Sequence, residues 1–390
     1  MGKYDFDSPV KRFGTDSIKW NIKEGELPMW VADMDFMTAP CITKALLERA
    51  RHGVFGYTDV NDEWYDAYIS WWDRRHGFKI IKEWLMFCTG VIPAISSAVR
   101  KLTTPNENVI IQTPVYNIFF NSIVNNGCRV LENELIYKDG EYSMDFDDLE
   151  LKMSDPQTNL MILCNPQNPA GKIWSKTDLE KIGDLAKKHG VTVISDEIHC
   201  DITEPGKGYV PFASVSDNCR DVSITCIAPT KAFSIPGVQT AAVCVPDLHL
   251  RNKVRRAINT DEVAEPNVFA LHAAIAAFNG GEEWLDEMRD YVFKNRQICR
   301  EYINKNIPDV KLIDGDATYL LWLDLTSLGV TSNEAYRTIR EKTGLFLSKG
   351  SVYGKCGDGF LRMNVACPRD YIYDGLERLK RGIEIIKNEV

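Results

Sequence analysis

Five short apolar runs between residues 108 and 246 constrain this chain more than any other feature. They are NVIIQ (108–112), NLMILC (159–164), VTVIS (191–195), SITCIA (223–228) and TAAVCVP (240–246), and each is continuous rather than alternating. A strand with water on one face alternates apolar and polar side chains, whereas a strand covered on both faces has no reason to. The runs therefore predict a mostly parallel sheet flanked by helices on both sides. The stretch between two of them, SKTDLEKIGDLAKKHG, reads as the crossover helix of a β–α–β unit. Ser175 is placed as its N-cap with Asp178 three residues on, and Gly190 as its stop. The fold class is α/β.

The flanks differ in pattern. Residues 1–37 read as an irregular arm ending in the unusual string MWVADMDFM. Thr38 and Pro40 look like the cap and first turn of a helix that Gly53 ends. A second helix, DEWYDAYISWWDRRH, stops at Gly77. Its Trp64, Tyr68, Trp71 and Trp72 recur at helical spacing, which suits a packed core face or a subunit contact. After about residue 247 helices dominate, in DLHLRNKVRRAIN, EPNVFALHAAIAAFN and EEWLDEMRDYVFKNRQICREYINKN. Strand-like YLLWLDL (319–325), GLFLS (344–348) and FLRMNVA (360–366) follow. At 390 residues the chain exceeds one ordinary core. The expected division is a large α/β domain over 38–280 and a smaller α+β domain built from 1–37 and 281–390.

Composition excludes several functions. With 46 Lys and Arg against 55 Asp and Glu, the net charge of −9 argues against a nucleic-acid partner. No segment approaches the roughly 18 consecutive apolar residues of a membrane span, and MGKYDFDSPV lacks the apolar stretch of a signal peptide, so a cytoplasmic location is expected. The 11 cysteines are scattered singly and the six histidines form no ligand motif, so the thiols read as reduced core residues and no metal site is expected.

In an open parallel sheet, ligands bind beyond the carboxyl ends of the strands. After NVIIQ comes Tyr116; after NLMILC, Asn168; after VTVIS, Asp196 and His199; after SITCIA, Thr230 and Lys231. An aromatic, an amide, a carboxylate and an amine thus converge on one edge. That set suits pyridoxal phosphate, which needs a lysine to form its Schiff base and a carboxylate on its pyridine nitrogen. Lys231 would carry it, Asp196 would face the ring nitrogen, Asn168 the 3-hydroxyl and Tyr116 the ring face. The stretch Thr89-Gly90-Val91-Ile92, before the helical AISSAVRKL, offers free N–H groups for the phosphate. Each residue alone has a plainer reading: Asp196 as a helix cap, Asn168 as a turn, Tyr116 and Tyr57 as core, Lys231 as a solvated side chain. Their coincidence at successive strand ends favours the site.

At these residues the chain resembles fold-type I pyridoxal-phosphate enzymes of the class I/II aminotransferase superfamily, and within it the MalY/PatB-type cystathionine β-lyases. The likeness is carried by ADMDF (32–36), HGVFGY (52–57), NPQNPAGK (165–172), VISDEIHCD (193–201), SITCIAPTKAF, WLDL (322–325) and LRMNVACPR (361–369), which span nearly the whole chain. The resemblance implies that Lys231 is the Schiff-base lysine and proton shuttle, with Asp196, Asn168 and Tyr116 as above. It implies that Arg362 clamps the substrate α-carboxylate, and that His199 stands where many aminotransferases place a tyrosine. Tyr57 is implied to reach the cofactor phosphate and substrate of a neighbouring subunit, making the protein a homodimer. Typical class I enzymes carry a serine three residues before the lysine and an arginine eight after it. Here these are Ala228 and Gln239, so Thr230 and the backbone of Val91 and Ile92 are expected to hold the phosphate. The implied activity is β-elimination from cystathionine or a similar cysteine S-conjugate. Transamination of an amino acid with a 2-oxo acid is the alternative, and a regulatory binding protein that keeps the fold is a third reading.

Overall fold

The computed structural model describes residues 2–313 and 315–389. Its centre is a seven-stranded sheet of β1 (Leu85–Cys88), β2 (Asn108–Ile111), β3 (Arg129–Glu132), β4 (Thr158–Cys164), β5 (Thr192–Asp196), β6 (Ser223–Ile227) and β7 (Ala241–Cys244), in the order β1-β7-β6-β5-β4-β2-β3. β2 to β6 pair in parallel, and β7 lies antiparallel between β6 and β1. All five apolar runs are strands, and each is buried along nearly its whole length, as continuous apolar sequence requires. The two strands without a predicted counterpart are at the edges. β1 is a continuous, fully buried apolar run, LMFC, that lies before the 108–246 stretch and was not predicted, whereas β3 is partly exposed, so its apolar signal is broken.

The Lys176–His189 helix crosses between β4 and β5 with the predicted ends. Ser175 and Asp178 form a reciprocal capping box, and Gly190 closes it at φ 72°. The Pro40–His52 helix departs from expectation at its start. Its N-cap is Ala39, and the Thr38 hydroxyl instead donates to the Phe233 carbonyl (2.7 Å), tying the helix entry to the segment after β6. The helix expected over EPNVFALHAAIAAFN begins only at Ala270.

A second sheet, of β8 (Lys311–Leu312), β9 (Leu320–Asp324), β10 (Ser348–Lys349) and β11 (Phe360–Asn364), is antiparallel in the order β8-β9-β11-β10. GLFLS does not form one strand. Leu345–Phe346 pairs in parallel with Leu27–Pro28 of the arm, and Ser348–Lys349 joins β11. The arm is accordingly ordered by the C-terminal third: Leu27 N donates to Gly344 O, Met29 N to Phe346 O, and Asp35 N to Ala366 O.

The aromatic face of the Asp62–His76 helix is core. Trp64, Tyr68, Trp71 and Trp72 are fully buried, against Phe233, Phe278 and Trp284 among others. The Trp71 indole donates to both oxygens of Asp201 (3.1 Å each), and His76 Nε2 lies 2.9 Å from the same carboxylate. With Cys200 these form a His-Cys-Asp group that sequence spacing could not reveal, because Asp201 and His76 are far apart in the chain. The 11 cysteines are free thiols. No helix among the described residues is long and apolar enough to cross a membrane.

Gly171, in the loop after β4, packs against Gly315 and Ala317 ahead of β9, and its carbonyl accepts from Ala317 N at 2.9 Å. Its φ is +72°, and an added Cβ would lie 2.7 Å from the Ala317 carbonyl oxygen. Gly171→Ala should therefore destabilise the protein by about 2 kcal/mol or more, measured as a shift in urea midpoint at constant slope.

Candidate active site

The carboxyl edge of β2, β4, β5 and β6 forms one wall of a cavity of about 280 Å³. Register places Cys164, Asp196 and Cys226 side by side at this edge. The segments that leave these strands project Tyr116, Asn168, Asp196, His199, Thr230 and Lys231 into the cavity. Thr89, Gly90, Val91 and Ile92 close its far end at the start of the Val91–Leu102 helix. Gln239 lies on the rim, and Ala228 is buried beneath it.

Lys231 Nζ donates to the Ala32 carbonyl at 2.6 Å. Burial holds its proton affinity down, to a pKa of about 8; Arg362 acts in the same direction, while Asp33 and Asp196 oppose it. Asp196 is 4% exposed and accepts the Ile198 N–H at 3.1 Å. Burial pushes its carboxyl up to about 7, against the pull of that hydrogen bond and of Lys231. His199 is displaced the other way, to about 3, first by burial and then by Lys231 and Arg362, so its imidazole is neutral at physiological pH. Burial also raises the Tyr116 phenol.

Arg362, on β11, enters from the second sheet. One Nη donates to Asn168 Oδ1 (3.1 Å), the other to the Trp30 carbonyl (2.9 Å), and the guanidinium lies 4.9 Å from the centre of the Tyr353 ring. It is 5% exposed, yet among the described residues it has no carboxylate partner, and its Nε has no acceptor. His199 Nδ1 is likewise buried without a partner.

These features fit pyridoxal phosphate and an amino acid. A buried carboxylate whose ionised form lacks compensating positive charge is matched to a protonated ring nitrogen, which would supply that charge and keep the carboxylate ionised. A buried guanidinium without a carboxylate is matched to the α-carboxylate of a substrate. The orphaned His199 nitrogen and the Asn168 amide lie within the same cavity wall. For the phosphate, the Val91–Leu102 helix begins at Gly90 with no side-chain cap, leaving first-turn N–H groups facing the cavity beside Thr230.

Tyr57 is the predicted site residue that the fold does not bring here. It is fully exposed, and lines a separate surface depression with Arg49, His52 and His272. Conversely, the backbone of Trp30 and Ala32, the Cys164 thiol, and Tyr319, whose hydroxyl donates to Ala32 O at 3.0 Å, were not anticipated. The sequence signal for Trp30 and Ala32 was the string MWVADMDFM, which contains both.

A family model for class I and II aminotransferases matches residues 27–379. Cystathionine β-lyase PatB of Bacillus subtilis (strain 168) is 43% identical over 386 residues, covering 97% of this chain and 100% of that protein. Protein MalY of Escherichia coli (strain K12) is 33% identical over 392 residues, covering 98% and 100%. Among solved structures, cystalysin from Treponema denticola, which contains a pyridoxal 5'-phosphate cofactor, matches with a TM-score of 0.95 at 31% identity, covering 98% of this chain and 100% of that one.

The Asp196 carboxyl yields a stability prediction for the cofactor-free protein. Its folded pKa lies above its unfolded one, so its contribution is fully present below about pH 4 and is lost as pH rises through about 7. Asp196→Asn lacks that loss. Its advantage over the parent should grow from about pH 4 and level off above about 7, at roughly 2–4 kcal/mol, as measured by denaturant unfolding across pH.

Proposed function

The chain belongs to the class I and II aminotransferase family, and we propose that within it the protein is a pyridoxal-phosphate-dependent carbon–sulfur β-lyase. It cleaves cystathionine or a related cysteine S-conjugate to a thiol, pyruvate and ammonia. The observation that carries the cofactor chemistry is the pairing of Lys231 and Asp196 in one cavity wall, with Arg362 hydrogen-bonded to Asn168 of the same wall. The choice of elimination over amino transfer rests on whole-length similarity to a protein named cystathionine β-lyase.

Bound pyridoxal phosphate supplies an electron sink for the pair released when a bond at the substrate Cα breaks. The protein does the rest. Lys231 holds the cofactor and, once free, takes the Cα proton as an amine whose pKa of about 8 leaves it partly unprotonated near neutrality. Asp196 faces the ring nitrogen, Asn168 the 3-hydroxyl and Tyr116 the ring. His199, being neutral, offers its unpartnered Nδ1 for a hydrogen bond to the bound cofactor or substrate without adding charge. Val91, Ile92 and Thr230 take the phosphate. Arg362 turns its fork to the α-carboxylate, which fixes the Cα–H bond toward Lys231. The thiolate then leaves from Cβ, and the lysine ammonium stands ready to protonate it.

Tyr57, with Val54 and Phe55 exposed beside it, is assigned to the site of a second copy, where it meets cofactor phosphate and substrate. The protein is thus read as a homodimer with shared sites, working in the cytoplasm. The segments 1–37 and 281–390 are read as a small domain that closes over the cofactor and shuts out water.

With cystathionine and no oxo-acid acceptor, the purified protein should release pyruvate and thiol in equal amounts. Acceptor-dependent amino transfer without pyruvate would instead establish an aminotransferase, and turnover of neither substrate set would favour a regulatory binding protein. Lys231→Ala should lose the cofactor's yellow absorbance and at least about 1,000-fold in kcat; full activity in that variant contradicts the assignment.

A further inference from the structure

The string MWVADMDFM forms a strap between the two sheets, and every carbonyl in its central part has a task. Trp30 O accepts from Arg362, and Ala32 O from both Lys231 and Tyr319. Val31 O and Asp33 O accept from Asn364 Nδ2 at 2.6 Å each. The two side chains that carry the chemistry proposed above are thus held by backbone atoms one residue to either side of Val31.

What holds the strap is a four-membered charge cluster. Arg12 grips Asp33 with both Nη atoms (3.1 and 2.6 Å), Asp35 through Nη1 (2.7 Å) and the Met34 carbonyl (3.0 Å). Lys19, 1% exposed, donates to Asp35 Oδ2 (2.5 Å) and lies 3.6 Å from Asp33 Oδ1. Trp20 Nε1 also donates to Asp35, at 2.8 Å. Two cations and two carboxylates balance, which is what a largely buried cluster requires. A plainer role for the cluster is to brace the arm, and the test below separates that role from an electrostatic one. Asp33 is the member next to Ala32, and its field reaches the lysine.

We propose that Asp33, clamped by Arg12 and Lys19, is a positioning residue of this site: it fixes the Ala32 carbonyl that orients Lys231 and sets the charge the lysine experiences. This rests on the reading of Lys231 given above. The other groups facing Lys231 are Asp196 from the end of β5, Arg362 from β11, the neutral His199, and the phenols of Tyr116 and Tyr319. Of the carboxylates, Asp33 is the one that lies on the strap and outside the cavity wall.

The test is a spectroscopic pH titration of the holoenzyme, following the absorbance of the lysine-bound cofactor. Asp33→Asn removes a negative charge and should move the transition to lower pH by about half a unit. Arg12→Gln leaves Asp33 undercompensated and should move it to higher pH. A brace without electrostatic reach would give no shift, or the same shift in both. Asp33→Glu should recover most of the parent titration, and kcat for thiol release should fall by about 10-fold in Asp33→Asn while the melting temperature of each variant reports its folding. Opposite shifts support the inference; unmoved or parallel shifts overturn it, and so does a variant pair whose kcat is unchanged. If Lys231→Ala keeps the cofactor absorbance, the reading of the lysine itself has failed, a result distinct from either.

Discussion

The hydrogen bond from Lys231 Nζ to the Ala32 carbonyl joins three parts of the molecule that the chain visits far apart. The lysine lies just after β6 of the large sheet. Ala32 belongs to the arm, and the arm is laid on the second sheet through Asn364, Arg362 and Ala366. Because the cavity between them is mostly shielded from water, charge there cannot be screened and has to be opposed by charge. Lys231 and Arg362 face Asp196 and, at one remove, Asp33. Burial weakens the lysine's hold on its proton and strengthens that of Asp196, so an amine and a carboxyl that both titrate near neutrality share the cavity.

The parts of this arrangement that depend on periodicity were legible in the sequence. Continuous apolar runs locate the buried strands, and the topology of a parallel sheet puts the residues after them on one edge. Asn168, Asp196 and Lys231 could be placed there without any structure. Ser175, Asp178 and Gly190 fixed a helix because capping is local chemistry.

The features that escaped depend on contacts between distant segments. β3 is half exposed, so its apolar signal is broken. Thr38 looked like a cap by position, yet its hydroxyl finds Phe233 instead. GLFLS divides between two sheets because Leu345–Phe346 is drawn off by Leu27–Pro28 of the arm. The strap contributes to the site through main-chain oxygens, which no side-chain pattern advertises. Tyr57 stands outside this chain's cavity, so its assignment turns on a second copy. At the end of the cavity proposed for the phosphate, Ala228 and Gln239 stand where a hydroxyl and a cation are expected of a typical class I enzyme, beside the uncapped start of the Val91–Leu102 helix and Thr230.

Every role assigned around the cavity turns on Lys231 as the residue that carries the cofactor. Reducing the holoenzyme with borohydride, digesting it and locating the pyridoxyl mass by peptide sequencing tests this directly. The label is expected on the peptide containing Lys231, in equal amount to the chain. A label on another lysine, or none retained after denaturation, would overturn that role.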